Sequence, residues 1–340
     1  MNLPMATRPV PPAPVFEPLE LEEIVRLHDE VRGLAQKRNA VILAHNYELP
    51  EVQEAADYVG DSLGLSRQAG SSDADVIVFC GVHFMAETAS VLCPDKRVLI
   101  PDLAAGCSLA DSINAEQLSA WKSEHPDAVV VMYVNTSAEV KALTDYCCTS
   151  SNAVAVVEHV FATHGEDAEI LFGPDMFLGA YVQEQTGRSM HIWDGECHVH
   201  AGIRPQDINA MRKSHPQAEF LIHPECGCTT NVMEYVSAGD VQAEGVCMLS
   251  TGGMLEHAGE IEPGTTAIVA TETGMLHGLR QAAPNVEFIP ANPEAICPYM
   301  KMITLPKLRD ALVHDRFEVK VPADIAARAR VPIERMVAIS

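Results

Sequence analysis

Short, nearly continuous apolar runs rich in β-branched residues recur along most of this chain, and most of them end on a polar side chain. They are AVILAHNY (40 to 47), DVIVFCGV (75 to 82), KRVLIPD (96 to 102), AVVVMYVN (128 to 135), AEILFGPD (168 to 175), SMHIWDG (189 to 195), AEFLIHPE (218 to 225), GVCMLST (245 to 251), TTAIVATET (265 to 273) and VEFIPA (286 to 291). Runs without hydrophobic alternation suit strands buried on both faces, as in parallel sheets. Helix-like stretches separate them, among them EVQEAADYVGDSLGLSRQAG, DSINAEQLSAWKSEHP, SSNAVAVVEHVFATHG and IRPQDINAMRKSHP, and EPLELEEIVRLHDEVRGLAQKR precedes the first. The alternation predicts an α/β protein. The strands are too many for one ordinary open sheet, and no Gly/Ser linker or low-complexity run marks a boundary, so several small parallel sheets packed closely are expected. Polar residues collect at the carboxyl ends of the runs: His45, Asn46, Asp102, Asn135, Asp175, Asp194, His223, Glu225, Thr251 and Thr271. Open α/β sheets bind ligands there.

Charge narrows the ligand. Lys and Arg total 23 against 47 Asp and Glu, a net charge of -24 that repels nucleic acid and anionic membranes, so neither is expected as a partner. An anionic substrate would then need local positive potential from helix N-termini, a metal or a few cations. No apolar stretch is long enough to span a bilayer, and the Pro-rich MNLPMATRPVPPAPVFEP reads as a flexible leader instead of a signal peptide. A soluble, cytoplasmic protein is expected, and its ten cysteines then read as thiols, metal ligands or core residues before disulfides.

Context separates the cysteines. Cys80 and Cys247 sit inside apolar runs, and Cys93 and the Cys147, Cys148 pair lie near helix-like segments with no ligand pattern. Cys107 in PDLAAGCSLAD, Cys197 in WDGECHVHAGI and Cys297 in PEAICPYMK each follow a strand-like run, beside Gly or Pro. Separated by 90 and 100 residues, each can come from a different α/β unit. Three thiolates around an iron-sulfur cluster would leave one iron open. Spacing alone leaves inert thiols as the alternative, and Cys226-Gly-Cys228 stands as a candidate redox pair or metal site.

AHNYE (44 to 48), GDS (60 to 62), YVNTSAEVKA (133 to 142), TSSNA (149 to 153), WDGECHVH (193 to 200), HPEC (223 to 226), STGGM (250 to 254), TETG (271 to 274) and CPYMK (297 to 301) occur in an order that resembles the quinolinate synthase family. The resemblance runs from about residue 40 to 305. It implies three pseudo-symmetric αβα sandwich domains with small parallel sheets around one 4Fe-4S cluster bound by Cys107, Cys197 and Cys297. The expected boundaries are a leader and helix over 1–30, a first domain from 31–107 plus 305–340, a second over 108–197 and a third over 198–304. The implied reaction condenses iminoaspartate with dihydroxyacetone phosphate to quinolinate, releasing phosphate and water. L-aspartate oxidase would be the source of iminoaspartate.

His45 and Tyr47 resemble the family's pair near the triose phosphate, where isomerisation and imine formation need proton transfer. Glu225 is the candidate acid-base residue and His223 a carboxylate binder; Tyr133 and Asn135, two apart, would face one ligand. Ser62 and Ser150 sit where helices begin and offer hydroxyls and free N–H groups to an anion, with plain capping as the alternative, while Thr251, before Gly252 and Gly253, offers a hydroxyl and unobstructed N–H groups to a carboxylate, with a plain glycine turn as the alternative. His200, three after Cys197, reads as a structural histidine, the alternatives being a group that supports the metal ligand or a substrate contact, and Lys301 as a source of positive potential or an exposed lysine. Two departures from the family stand out: the stretch from Cys226 to Ser250 is long and cysteine-rich, and no CxxC lies near Cys297, which leaves Cys226 and Cys228 as the candidates for any thiol switch. Three rivals use the same residues: a different cluster-dependent hydro-lyase, a zinc or thiol enzyme, and a binding module without turnover.

Overall fold

The computed structural model describes residues 18–229 and 245–339, together with Pro11, Pro12 and Met233. Most of the Pro-rich leader, and residues 230–232 and 234–244 of the long cysteine-rich stretch, lie outside the described residues.

Three four-stranded sheets, parallel throughout, make up the framework. The first contains β1 (Ala40–His45), β2 (Tyr58–Gly60), β3 (Val76–Cys80) and β4 (Arg97–Leu99); the second β5 (Val129–Tyr133), β6 (Tyr146–Cys148), β7 (Ile170–Gly173) and β8 (His191–Ile192); the third β9 (Glu219–Ile222), β10 (Val246–Met248), β11 (Thr266–Ala270) and β12 (Glu287–Pro290). Each has the same order, with the second strand in sequence at one edge and the fourth at the other: β2-β1-β3-β4, β6-β5-β7-β8 and β10-β9-β11-β12. This is the α/β arrangement of small parallel sheets that the uninterrupted apolar runs predict. The central strands are buried along their length, β3 and β5 at every residue, because helices cover both faces.

The helices bounded among the described residues are α1 (Leu21–Arg38), α2 (Pro50–Ala55), α3 (Ser62–Ser71), α4 (His83–Leu92), α5 (Ala115–Glu124), α6 (Ala138–Lys141), α7 (Ala153–His164), α8 (Met176–Thr186), α9 (His198–Ala201), α10 (Pro205–Ser214), α11 (Thr251–Ala258), α12 (Met275–Ala282), α13 (Leu305–His314) and α14 (Ala323–Ala338). None of them is long and apolar enough to cross a membrane. Several begin as their sequences dictate: Asp61, Asp175, Ser250 and Thr304 each accept the N–H three residues on, the usual N-cap bond.

Two strands escaped the sequence reading. β2 lies inside the stretch read as one helix from 51 to 70, and β6 holds Cys147 and Cys148, read as neighbours of helices. Both are three-residue edge strands. Such a strand exists only because a longer partner supplies its hydrogen bonds, so its own sequence carries no periodic signal.

The C-terminal segment ties units together. Glu318 bridges to Leu99 at the edge of the first sheet, and α14 packs on both α4 and β6. Asn152 fastens the end of α14 to the loop before α7: its amide donates to Met336 O (2.9 Å) and Ile339 O (2.8 Å), and its Oδ1 accepts from Thr149 N (2.8 Å). Truncating a buried amide that satisfies several backbone groups leaves them unpaired, so Asn152→Ala should cost about 2–3 kcal/mol. Urea unfolding checks this; a loss within experimental error would remove Asn152 from the account of how α14 is held.

Candidate functional site

Parallel strands all point their carboxyl ends the same way, and the three sheets aim those ends at one cavity. Its walls include His45 and Tyr47 after β1, Ser62 at the start of α3, Tyr133 and Asn135 at the end of β5, Ser150 after β6, His223 and Glu225 after β9, and Thr251 at the start of α11. Cys107, Cys197 and Cys297 open onto the same space. Side chains from different sheets meet across it: Ser150 Oγ lies 3.1 Å from His223 Nε2, Asn46 Nδ2 donates to Thr251 Oγ1 at 3.0 Å, and Ser108 Oγ lies 2.6 Å from His198 Nδ1.

The three cysteines share a local geometry. Each follows the fourth strand of its sheet and begins a short helical turn, and the N–H four residues on bonds to its carbonyl: Asp111 to Cys107 (3.0 Å), Ala201 to Cys197 (2.8 Å) and Lys301 to Cys297 (3.1 Å). Turn N–H groups face each sulfur: Leu109 and Ala110 at Cys107, His200 at Cys197, Tyr299 and Met300 at Cys297. Burial pushes all three thiols up, Cys107 and Cys297 to about 12, against the help of those N–H groups. Three thiolates in one cavity are stable only opposite a compensating positive charge. The remaining free cysteines sit elsewhere, four of them buried in the core. The donor set and its turns therefore fit a metal cluster.

Beside the cysteines lies a buried polar network. Tyr133 donates its hydroxyl to Glu225 Oε1, and His200 Nδ1 lies 3.2 Å from Glu225 Oε2 and 3.2 Å from Cys197 Sγ. The other nitrogen of His200 is 3.2 Å from Tyr47 Oη and 2.9 Å from Thr271 Oγ1. Burial alone would raise Glu225, but the His200 and His223 rings and the hydrogen bonds from His200 and Tyr133 hold its carboxyl below the usual range. Burial, with Glu225 nearby, raises both tyrosines well above their ordinary value, so each phenol stays protonated. His45 is lowered to about 3 and His223 to about 4, chiefly by burial, so both rings are neutral near pH 7. The buried Oδ1 of Asn135 has no hydrogen-bond partner, which leaves an amide acceptor at the cavity wall.

Positive potential comes from backbone. None of the described residues lining the cavity is Lys or Arg, while Ser62 and Thr251 are the first residues of α3 and α11, whose caps are Asp61 and Ser250. Capping by the neighbours leaves the Ser62 and Thr251 hydroxyls at helix N-termini, which attract anions, although the Asp61 carboxylate that caps α3 also lines the cavity and offsets part of that attraction. Lys301 departs from expectation: it is neither exposed nor a wall of the cavity but buried against Glu272 at 3.0 Å. His200, read as structural, bridges Tyr47, Glu225 and Cys197. Its spacing from Cys197 was visible, but the partners arrive from other sheets. Glu272 and Thr271, inside the TETG motif, and the buried Asp175 went without a role, though each ends a strand-like run. Cys226 and Cys228 form a disulfide directly after Glu225.

Comparison with known proteins identifies the relatives of this cavity. The family model described as quinolinate synthetase A protein matches residues 29–338. The chain is 56% identical over 311 residues to quinolinate synthase of Mycobacterium tuberculosis (strain H37Rv), covering 91% of this chain and 88% of that one. It is 57% identical over 311 residues to the quinolinate synthase of Mycolicibacterium paratuberculosis, with 91% and 88% covered. The quinolinate synthase of Thermus thermophilus is 55% identical over 313 residues, covering 92% of this chain and 97% of the relative.

The lowered histidines make stability depend on pH. Once unfolded, His45 and His223 take up a proton near their ordinary value of 6.5, whereas in the fold they resist it down to about 3 and about 4. Their contribution is thus complete above the unfolded value and is lost as pH falls. Each group steepens the loss by about 1.4 kcal/mol per pH unit where only the unfolded chain is protonated, roughly between pH 5.5 and 4.5. Urea titrations of the apo chain across that window check this: a His45→Gln, His223→Gln variant should lose stability less steeply with falling pH, by about 1.4 kcal/mol per pH unit for each ring removed, and equal slopes would refute the neutral assignment.

Proposed function

The chain belongs to the quinolinate synthetase A family, and on that premise we propose how its cavity makes quinolinate from iminoaspartate and dihydroxyacetone phosphate, with loss of phosphate and water. The observation that carries the reading is the convergence of three alike cysteine turns, one per sheet, on a cavity that also holds Glu225 and Tyr133. Cys107, Cys197 and Cys297 would hold one 4Fe-4S cluster, since the buried thiols need a positive partner and no fourth cysteine lines the cavity among the described residues. When bound, such a cluster supplies a Lewis-acidic iron that coordinates a carboxylate or hydroxyl and makes hydroxide a better leaving group.

The protein's own groups divide the remaining work. Glu225, ionised and gripped by Tyr133 and His200, accepts a proton from a substrate carbon or nitrogen, and the Tyr133 phenol returns one. Tyr47, hydrogen-bonded to Thr271 and His200, and the neutral His45 ring beside it serve the triose. Ser62, Thr251 and Ser150 offer hydroxyls at or beside helix N-termini to phosphate and carboxylate, with His223 held by Ser150 and Asn135 accepting from a substrate N–H or O–H. Iminoaspartate is unstable, which favours supply by L-aspartate oxidase in the same compartment, the cytoplasm.

A second reading rests on one observation. Single donor atoms of Cys197, His200 and Glu225 lie within 4.8 Å of one another, a ligand set that would also suit zinc. It leaves Cys107 and Cys297 without a purpose.

Anaerobic protein should contain about four irons per chain and no stoichiometric zinc. Given iminoaspartate generated in place and dihydroxyacetone phosphate, it should release quinolinate. Glu225→Gln should retain the iron and lose about 10²- to 10⁴-fold in kcat, the usual contribution of a general acid-base group. A colourless zinc protein would sink the cluster, and undiminished turnover by the Gln variant would remove Glu225 from the chemistry.

A further inference from the structure

Glu272 lies where the third sheet meets the first. It ends the run through β11, is fully buried, and its carboxylate gathers three donors. Oε1 accepts from the backbone N–H of Cys297 at 2.9 Å, Oε2 from that of Gly274 at 2.6 Å, and Lys301 Nζ sits 3.0 Å and 3.2 Å from the two oxygens. Lys301 also donates to the carbonyl of Tyr47, and its own N–H closes the turn that starts at Cys297. From the other side, Gln53 Nε2 holds the same loop through Asn46 O (3.0 Å), Glu48 O (2.9 Å) and Gly274 O (3.3 Å). The packing admits no side chain at position 274, where a Cβ would fall 2.6 Å from Tyr47 O, 2.7 Å from Lys301 Nζ and 2.8 Å from Glu272 Oε2.

We propose that the buried Glu272–Lys301 pair is a positioning device that fixes the Cys297 turn to the Tyr47 loop, so that the third cysteine and the phenol keep one relative placement. The inference rests on the reading of Cys297 as a cluster ligand. The second sheet offers a parallel. Asp175 occupies the matching place after β7 in the second sheet, is fully buried, and bridges Gly195, two residues before Cys197. The matching place in the first sheet, after β3, holds Gly81 and Val82. A hydrogen bond to the backbone of a ligand residue orients its sulfur, and supporting groups of this kind are commonly worth about 10- to 100-fold in activity or metal affinity.

The test uses full-length protein loaded with its cluster without oxygen. Glu272→Gln keeps the shape and removes an anion, so the midpoint potential of the cluster should shift positive; Lys301→Met removes the cation and should shift it negative. Both should bind the same iron as wild type and lose about 10- to 100-fold in kcat with little change in KM. A buried charge left unpaired can prevent folding. Should either single variant fail to fold, the double variant carries the test: a changed electron paramagnetic resonance signature with lowered kcat supports the proposal. Wild-type potential or signature together with wild-type kcat in the folded variants overturns it. Wild-type protein that holds no cluster, or makes no quinolinate, would instead overturn the reading of the site on which the proposal stands.

Discussion

Parallel pairing is the constraint on which this molecule depends. In a parallel sheet every strand ends on the same side, so side chains just past those ends face one region and the following helices point their N-termini at it. Three such sheets with identical strand order therefore deliver cysteines, hydroxyls, imidazoles and carboxylates to one place. The repetition extends to detail, for each cysteine follows the fourth strand of its sheet and opens a turn closed by a bond to its own carbonyl. An antiparallel arrangement of the same runs would send alternate ends apart.

The electrostatics of the cavity run against those of the whole chain. A protein of net charge -24 that handles carboxylates and phosphate has none of its described Lys or Arg residues on the cavity wall. Positive potential comes instead from helix N-termini at Ser62 and Thr251, which carry fixed partial charges without the desolvation cost of a buried cation. Lys301, the cation nearest in sequence to a cysteine of the site, is neutralised by Glu272. Neutral His45 and His223, protonated phenols and an ionised Glu225 complete a site whose groups hold different protonation states because their partners differ.

Much of this could be read from the residues. Long central strands such as β1, β3 and β5 announce themselves because burial on both faces leaves an unbroken apolar run. The edge strands β2 and β6 do not, since their conformation is borrowed from a neighbour. The polar ends of the runs point to His45, Asn135, His223, Glu225 and Thr251, which line the cavity, and equally to Asn46, Asp102, Asp175, Asp194 and Thr271, which are not among the lining residues. The places of His200 and Lys301 are less legible for one reason: each is defined by what packs against it, Tyr47, Thr271 and Glu225 for the imidazole, Glu272 and Tyr47 for the ammonium.

The sequence by itself determined the α/β class, the small parallel sheets and the side of each strand that carries chemistry, because periodicity and strand-end polarity are local properties. Order among its motifs was enough to mark the family. Only the tertiary structure decided which cysteines share a cavity, that Glu225 is held between Tyr133 and His200, and that Lys301 is paired away from the ligand site. Those are contacts between residues far apart in the chain, and the free energy of such a contact depends on burial and partners that no single segment encodes.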